Sequence, residues 1–512
     1  MSKSAVILKN TLANYVQQAA AVGVFLFLTP FAARQLGTEQ FGLWSLMWSM
    51  VGVLGLVDMG VSSAVVKFIA DARGNQDGDR SRHLYSTFFW VQTTLALVVL
   101  LSAVAITPVL RHIFIIPDSL QRTASIVFGV LSFRVATGMP FGLFVGLLAG
   151  HRKQAYSSII KTFSILTYGV FVFFMLNYSP TAISLAISNI IIHLLSNAVI
   201  IAVACRTVPD FTIRPALFSR SLVKEISLFS GAAFMVQISS LLYTRVDIFI
   251  VQRFLSLTNV AHYTVAMQTI SRGALFCKQM TSALTPLIAE MKGANDAQSI
   301  RLILRKGTKL NTALTTPLMG GLIWLASDLI QSWMGPEFAE SVLPMRLLAG
   351  VAWISAICGV SSTVLTMTGY QKREAILTVT GQIMNVALTL LLVRRFGLGG
   401  VAFASLVSGL SIGIMTIWFT VRLLKLSFRH TYGPILASLF PLVIMLGSLA
   451  GMQWTVRTLG IQEPTLLHVA VEEALGSVIF FVAFYLFGCS AKERDYYLSK
   501  ILAVLSRLKR KK

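Results

Sequence analysis

The sequence predicts an all-α polytopic membrane protein of about 14 transmembrane helices: two six-helix lobes in parallel repeat, followed by two appended helices. Three observations carry that expectation. Of the 512 residues, 55% are hydrophobic and only 12% charged, against roughly 25% charged in soluble domains. Apolar stretches of span length, about 20 residues at 1.5 Å each across roughly 30 Å of hydrocarbon, recur from Thr11 almost to the C-terminus. They leave no room for a soluble domain of ordinary size. The chain also resembles itself at an offset of 219 residues.

Helices are expected over 11–34, 41–66, 84–110, 122–148, 155–177, 181–205, 226–253, 258–289, 309–334, 342–369, 375–395, 399–424, 432–457 and 465–488, with Gly, Pro and Asn turn signals at most joins. Continuous apolar runs such as Leu95–Ile106 and Leu439–Gly447 argue against β-strands, which alternate over about ten residues in outer-membrane barrels. The first stretch carries Asn14, Gln17 and Gln18 and no small-residue cleavage site follows it, so it reads as a retained helix rather than a signal peptide.

Charge sets the expected orientation. Counting span ends with their loops, 30 of the 43 Lys and Arg residues fall on the side of residue 1, 7 on the other and 6 within spans. By the positive-inside rule both termini are cytoplasmic. The net charge of +23 is thus spread over eight short segments, which argues against a nucleic-acid surface. The basic tail, residues 491–512 ending KRKK, suits anionic lipid headgroups; a retrieval or nuclear signal is the second reading.

The 219-residue offset pairs Arg34 with Arg253, Leu36 with Leu255, Trp44 with Tyr263, Ile69-Ala70-Asp71 with Ile288-Ala289-Glu290, Gly150 with Gly369, and Lys153 with Lys372. Six spans, an even number, separate the copies, so both halves keep one orientation and a substrate path is expected between them. The expected division is an N-terminal lobe at 1–205, a cytoplasmic linker at 206–225, a C-terminal lobe at 226–425, appended helices at 426–490 and the basic tail.

An ionisable group inside a span needs a partner, water or a route to the interface. Five cations lie deep: Arg134, with Thr137 and Gly138 on its face; Lys161, on a stripe with Ser157, Ser164 and Tyr168; Arg245; Arg272; and Lys278. The acids are fewer: Asp58, Asp247 on a stripe with Gln237, Ser240 and Thr244, and Asp328. The surplus of bases implies an anionic cargo, because structural pairing would use similar numbers of each sign. The plainer reading of each residue singly is a bridge between helices. Arg346 and Glu374 read as interfacial. His193 titrates near neutral pH when solvated, although a satisfied core histidine is the commoner case.

No catalytic signature is present: no HExxH, no GxxxxGK[ST], no GxSxG and no His/Cys cluster. Cys205, Cys277, Cys358 and Cys489 form no CxxC pair, so neither disulfides nor zinc are expected. The chain is read as a transporter, not an enzyme. It needs no cofactor, and an ion gradient (H+ or Na+) or the membrane potential would drive it.

The segment FAARQLGTEQFGLWSLMWSMVGVLGLVDMGVSSAVVKFIAD and the later RVDIFIVQRFLSLTNVAHYTVAMQ resemble the polysaccharide transporter family, which includes the O-antigen and exopolysaccharide flippases. That family shares a superfamily with lipid II flippases and multidrug antiporters, all with two six-helix lobes. The resemblance implies a polyprenyl diphosphate-linked oligosaccharide carried from the inner to the outer leaflet of the cytoplasmic membrane for O-antigen, capsule or exopolysaccharide synthesis, with a polymerase and other assembly proteins as partners. Asp58 and Asp247 stand at the family's aspartates, as candidates for coupling or gating with Asp328 and His193. Arg134, Lys161, Arg245, Arg272 and Lys278 are the candidate substrate-binding residues. The rivals are a cation-coupled multidrug antiporter, whose cationic cargo prefers acidic cavities, and a membrane scaffold acting through its basic tail.

Overall fold

The computed structural model describes residues 3–58, 60–208, 211–436, 439–458, 465–495 and 499; most of the basic tail lies outside them. The described chain is helical throughout and divides into two compact units, Met1–Thr264 and Val265–Lys512. Among the described residues, eight helical stretches are long and apolar enough to cross a membrane, or nine if one bent pair counts as a single span.

The first unit contains α1 (Lys3–Leu54), α2 (Val61–Gly74), α3 (Gly78–Ile106), α4 (Asp118–Gly150), α5 (Gln154–Tyr178), α6 (Ala182–Thr207), α7 (Arg220–Phe254) and the start of α8 (Leu257–Gly293). Helix α1 is broken at Gly37, whose φ of 72° and ψ of 165° are non-helical, at the join expected between the first two spans. The expected span 41–66 does not run through: α1 ends in a tight turn, Gly55–Asp58, and Gly60 at φ 78° precedes α2. Only glycine adopts that left-handed conformation at no steric cost.

Helix α4 carries glycines at 138, 142, 146 and 150, one per turn on a single face. A Cβ on Gly146 would overlap the Val65 side chain, and one on Gly150 the Ile69 side chain. The small stripe is what lets α2 close on α4. Phe68, Phe88, Leu143 and Leu147 complete the core around that contact. Large apolar side chains face outward, including Phe27 at 81% and Phe163 at 66% exposure, as expected of surfaces solvated by lipid.

The second unit contains the rest of α8, α9 (Ala297–Trp324), α10 (Ala326–Trp333), α11 (Val342–Leu365), α12 (Gln371–Leu423), α13 (Phe428–Leu436), α14 (Leu439–Thr458) and α15 (Leu466–Ala483). The expected span 309–334 is bent by 68° between α9 and α10. Helix α12 is broken at Gly397, φ 56° and ψ −139°, where two spans were expected to meet.

One turn recurs at the 219-residue offset. After α2, Gln76 takes a left-handed φ of 56°, its N–H bonds Arg73 O at 3.2 Å and the Asp77 N–H bonds Ala72 O at 3.0 Å. After α8, Asn295 takes φ 54°, its N–H bonds Lys292 O at 3.1 Å and the Asp296 N–H bonds Met291 O at 2.9 Å. Both are Schellman C-caps. In each, the following aspartate then caps the next helix by accepting a backbone N–H, from Arg80 and from Ser299, each at 2.9 Å.

Candidate functional site

Within the first unit, α1, α2, α4, α5 and α6 line an open cavity of about 870 Å³, within the roughly 300–1,000 Å³ of ligand sites. The void follows from the sequence of α4. Gly138 and Gly142 put no side chain into it, so a polar space opens beside the same stripe that binds α2.

Arg134 and Lys161 both line this space. The Arg134 guanidinium lies 5.0 Å from the Trp48 ring centroid, and Trp48 stacks on Trp44 at 5.6 Å. The Arg134 Nε is buried without a hydrogen-bond partner, and so is the Asn189 Oδ1 of the facing α6. No Asp or Glu belongs to the lining, and neither cation makes an ion pair among the described residues. The pocket therefore carries two bases with no carboxylate lining it to offset them.

His193 is in the same lining, against Gly138, with its carbonyl accepting the Asn197 amide at 2.7 Å. Ser157, Ser164 and Tyr168, expected on the Lys161 stripe, also face the space. From α1 come Asn14, which accepts the Ser158 hydroxyl at 2.5 Å, and Gln17 and Gln18. Asp58 reaches the site only through Ser62, a lining residue whose hydroxyl donates to its carboxylate at 2.8 Å.

The other candidates lie elsewhere. Arg245 packs its guanidinium against Gly52 and donates to the Ser49 hydroxyl at 3.3 Å. Asp247 is buried and accepts the Tyr263 hydroxyl at 2.7 Å; Gln237, Ser240 and Thr244 of its stripe have side chains outside the described residues. Half-buried Arg272 and exposed Lys278 are on α8 in the second unit. Asp328 accepts the Gln453 amide at 2.5 Å, and Gln453 in turn accepts the Trp324 indole N–H at 3.1 Å. Glu374, read as interfacial, lies in the first turn of α12, partly buried, and accepts the Ser362 hydroxyl at 2.5 Å.

Sequence reasoning missed Trp48, Asn189, Ser196 and Asn197. The last three share the His193 face of α6, Asn189 four residues before it and Ser196 and Asn197 three and four after it, a polar stripe on an apolar helix that periodicity alone reveals. The four-residue glycine spacing of α4 is a second readable signal.

Residues 31–343 match the family described as "Polysaccharide biosynthesis protein". The chain belongs to that family. It is 22% identical over 392 residues, 75% of this chain and 77% of the relative, to "Probable low-salt glycan biosynthesis flippase Agl15" of Haloferax volcanii. Among solved structures, "Lipid II flippase MurJ, inward closed conformation" aligns with a TM-score of 0.70 at 14% identity, over 95% of this chain and 99% of that one. An inward-facing "multidrug resistance MATE family transporter of the MOP superfamily" aligns with 0.68 at 14% identity, over 80% and 98%. The protein is therefore a multi-pass membrane protein of the polysaccharide biosynthesis family, with a fold shared by a lipid II flippase and a multidrug transporter.

Proposed function

We propose that the protein flips a polyprenyl diphosphate-linked oligosaccharide from the inner to the outer leaflet of the cytoplasmic membrane, in O-antigen, capsule or exopolysaccharide synthesis. The observation that carries this reading is the carboxylate-free cavity holding Arg134 and Lys161. A diphosphate and its sugars are strongly hydrated and cannot enter hydrocarbon, so they need a wet, polar compartment. Arg134 and Lys161 bind the diphosphate in the proposed complex, the amides and hydroxyls of α1, α5 and α6 meet the first sugars, and the lipid tail stays in the bilayer. A cationic drug would meet two like charges there, which disfavours the antiporter reading that the shared fold permits.

The proposal includes fourteen spans. The 50-residue stretch Lys9–Asp58 would be roughly 75 Å long if straight, so its break at Gly37 is assigned to a turn between two spans, as are the breaks in the 88-residue stretch Pro336–Leu423. Both termini are placed in the cytoplasm. The lobes are taken as 1–205 and 226–425, joined by the linker 206–225 and followed by the appended helices, with the repeated turn after α2 and α8 in support. Arg245, Arg272 and Lys278 are proposed as further contacts along the path. Outward movement of the diphosphate is favoured by an inside-negative potential at about 2.3 kcal/mol per charge per 100 mV; coupling to H+ or Na+ through Asp58, Asp247, Asp328 or His193 is the other proposed source. A polymerase and assembly proteins are the proposed partners.

The test is reconstitution in liposomes with a fluorescent lipid-linked oligosaccharide, following its access to a membrane-impermeant quencher. The diphosphate-linked substrate should cross leaflets while the same glycolipid with a neutral linkage should not. Equal rates for the two would overturn the reading.

A further inference from the structure

The second unit holds a carboxyl group that none of this uses. Glu473 lies seven residues into α15, on an 18-residue helix that is otherwise almost wholly apolar. Its carboxyl rests against the backbone of Gly321 in α9 so closely that a Cβ there would overlap both oxygens. Oε2 is buried with no hydrogen-bond partner, and Oε1 has only the Ser477 hydroxyl, at 3.5 Å. Helices α14 and α15 supply Met445, Leu449, Val469 and Phe480 to one apolar cluster, with Leu442 packed against it.

The helices packed on α15 are α9, α10 and α14. Their charged groups are Arg301, Arg305, Lys306 and Lys309 on α9, Asp328 on α10 and Arg457 on α14, whose side chain lies outside the described residues; α15 itself adds His468 and Glu472. None of the described ones bonds Glu473: Lys309 pairs with Glu493 at 2.7 Å and Asp328 holds Gln453. An ionised carboxylate in such surroundings would be left without solvent, partner or countercharge. The group neutralises instead. Sodium is a poor alternative occupant, since it needs a shell of several oxygens and the site offers one carboxyl and one distant hydroxyl.

We infer that Glu473 is a proton-binding site: it carries a proton while α15 is seated on Gly321, and it releases that proton only when the contact opens. The site stands whatever the cargo is; its use as the coupling ion site of transport rests on the flippase reading.

Two measurements separate those claims. The first uses purified protein alone. If Glu473 is protonated when folded and ionised when unfolded, the unfolded state binds fewer protons, and stability falls as pH rises above the ordinary carboxylate range. Native protein and Glu473→Gln, which mimics the protonated group, are unfolded thermally between pH 5 and 7. Relative to the variant, the native unfolding constant should rise about tenfold per pH unit, with His468, Glu472 and Asp328 common to both. Parallel pH profiles overturn the proton site. The second is liposome flipping with an imposed pH gradient: Glu473→Gln should lose its response to the gradient. If the first result holds and the gradient response survives in the variant, the proton site stands and its coupling role falls; if no glycolipid moves in native protein, it is the cargo assignment that fails.

Discussion

Replacing both cavity cations, Arg134→Gln with Lys161→Gln, tests the site most directly. A hydrogen bond to a charged group is worth about 1.5–3 kcal/mol. Because both side chains border an open, wet cavity rather than a sealed one, the lower figure applies to each, giving about 3 kcal/mol if the two add. At about 1.4 kcal/mol per decade, the affinity for a lipid diphosphate should fall on the order of 100-fold. Folding should not suffer, since neither cation makes an ion pair among the described residues and the Arg134 Nε is already unpartnered. Titration of a short-chain polyprenyl diphosphate into detergent-solubilised protein gives the affinity, and thermal unfolding of the same sample gives the stability. Arg134→Lys, which keeps the charge and loses the planar fork, should fall between native and Gln. Unchanged affinity in a folded double variant would refute the anion site. Lost stability with unchanged affinity would show that the two cations are structural.

Further outcomes follow from the packing. Gly146→Val should destabilise the first unit by about 1–3 kcal/mol or more, because even its Cβ collides with Val65. Gly142→Leu should fold, since its Cβ meets only ordinary contacts with Ser62 and Gln92, yet block flipping by filling the cavity; thermal unfolding and the quencher assay read the pair. Tyr263→Phe removes the hydroxyl that Asp247 accepts at 2.7 Å and should cost about 1–3 kcal/mol, measured by thermal unfolding. Burial pushes the Glu493 carboxyl up, but bonds from the Lys309 ammonium and from the Ser490 backbone and hydroxyl outweigh it and hold the group below its ordinary value. A depressed carboxyl contributes stability above its unfolded pKa of about 4.3 and loses it as pH falls further. The stability gap between native protein and Glu493→Gln, about 1 kcal/mol for a largely screened pair, should therefore hold at pH 7 and close below about pH 4.

Much of the molecule was readable in the chain. Composition and the recurrence of apolar stretches determine a helical membrane protein, because hydrocarbon leaves the backbone no hydrogen-bond partner but itself. The joins at Gly37 and Gly397 were readable for a related reason: a positive φ is cheap for glycine alone. The deep cations were also visible, since an uncharged helix face makes each charge conspicuous. What the sequence could not decide is which of them meet. Arg134, Lys161 and His193 sit on three helices whose relative rotation is set by packing between faces, as the glycine stripe of α4 closing on Val65 and Ile69 of α2 shows for one such contact. Asp58, Asp247 and Asp328 were all candidates in the chain, yet their donors differ in kind: the neighbouring Ser62 for Asp58, Tyr263 of the next helix for Asp247 and the distant Gln453 for Asp328. Glu473 was visible only as one acid among twenty; what sets it apart is the absence of a partner for its buried oxygen, a property of neighbours rather than of the residue. The sequence by itself determined the solvent this protein lives in and the sign of its buried charge, while tertiary structure decided where that charge gathers, because contacts between helices are made by faces and a face has no fixed address along the chain.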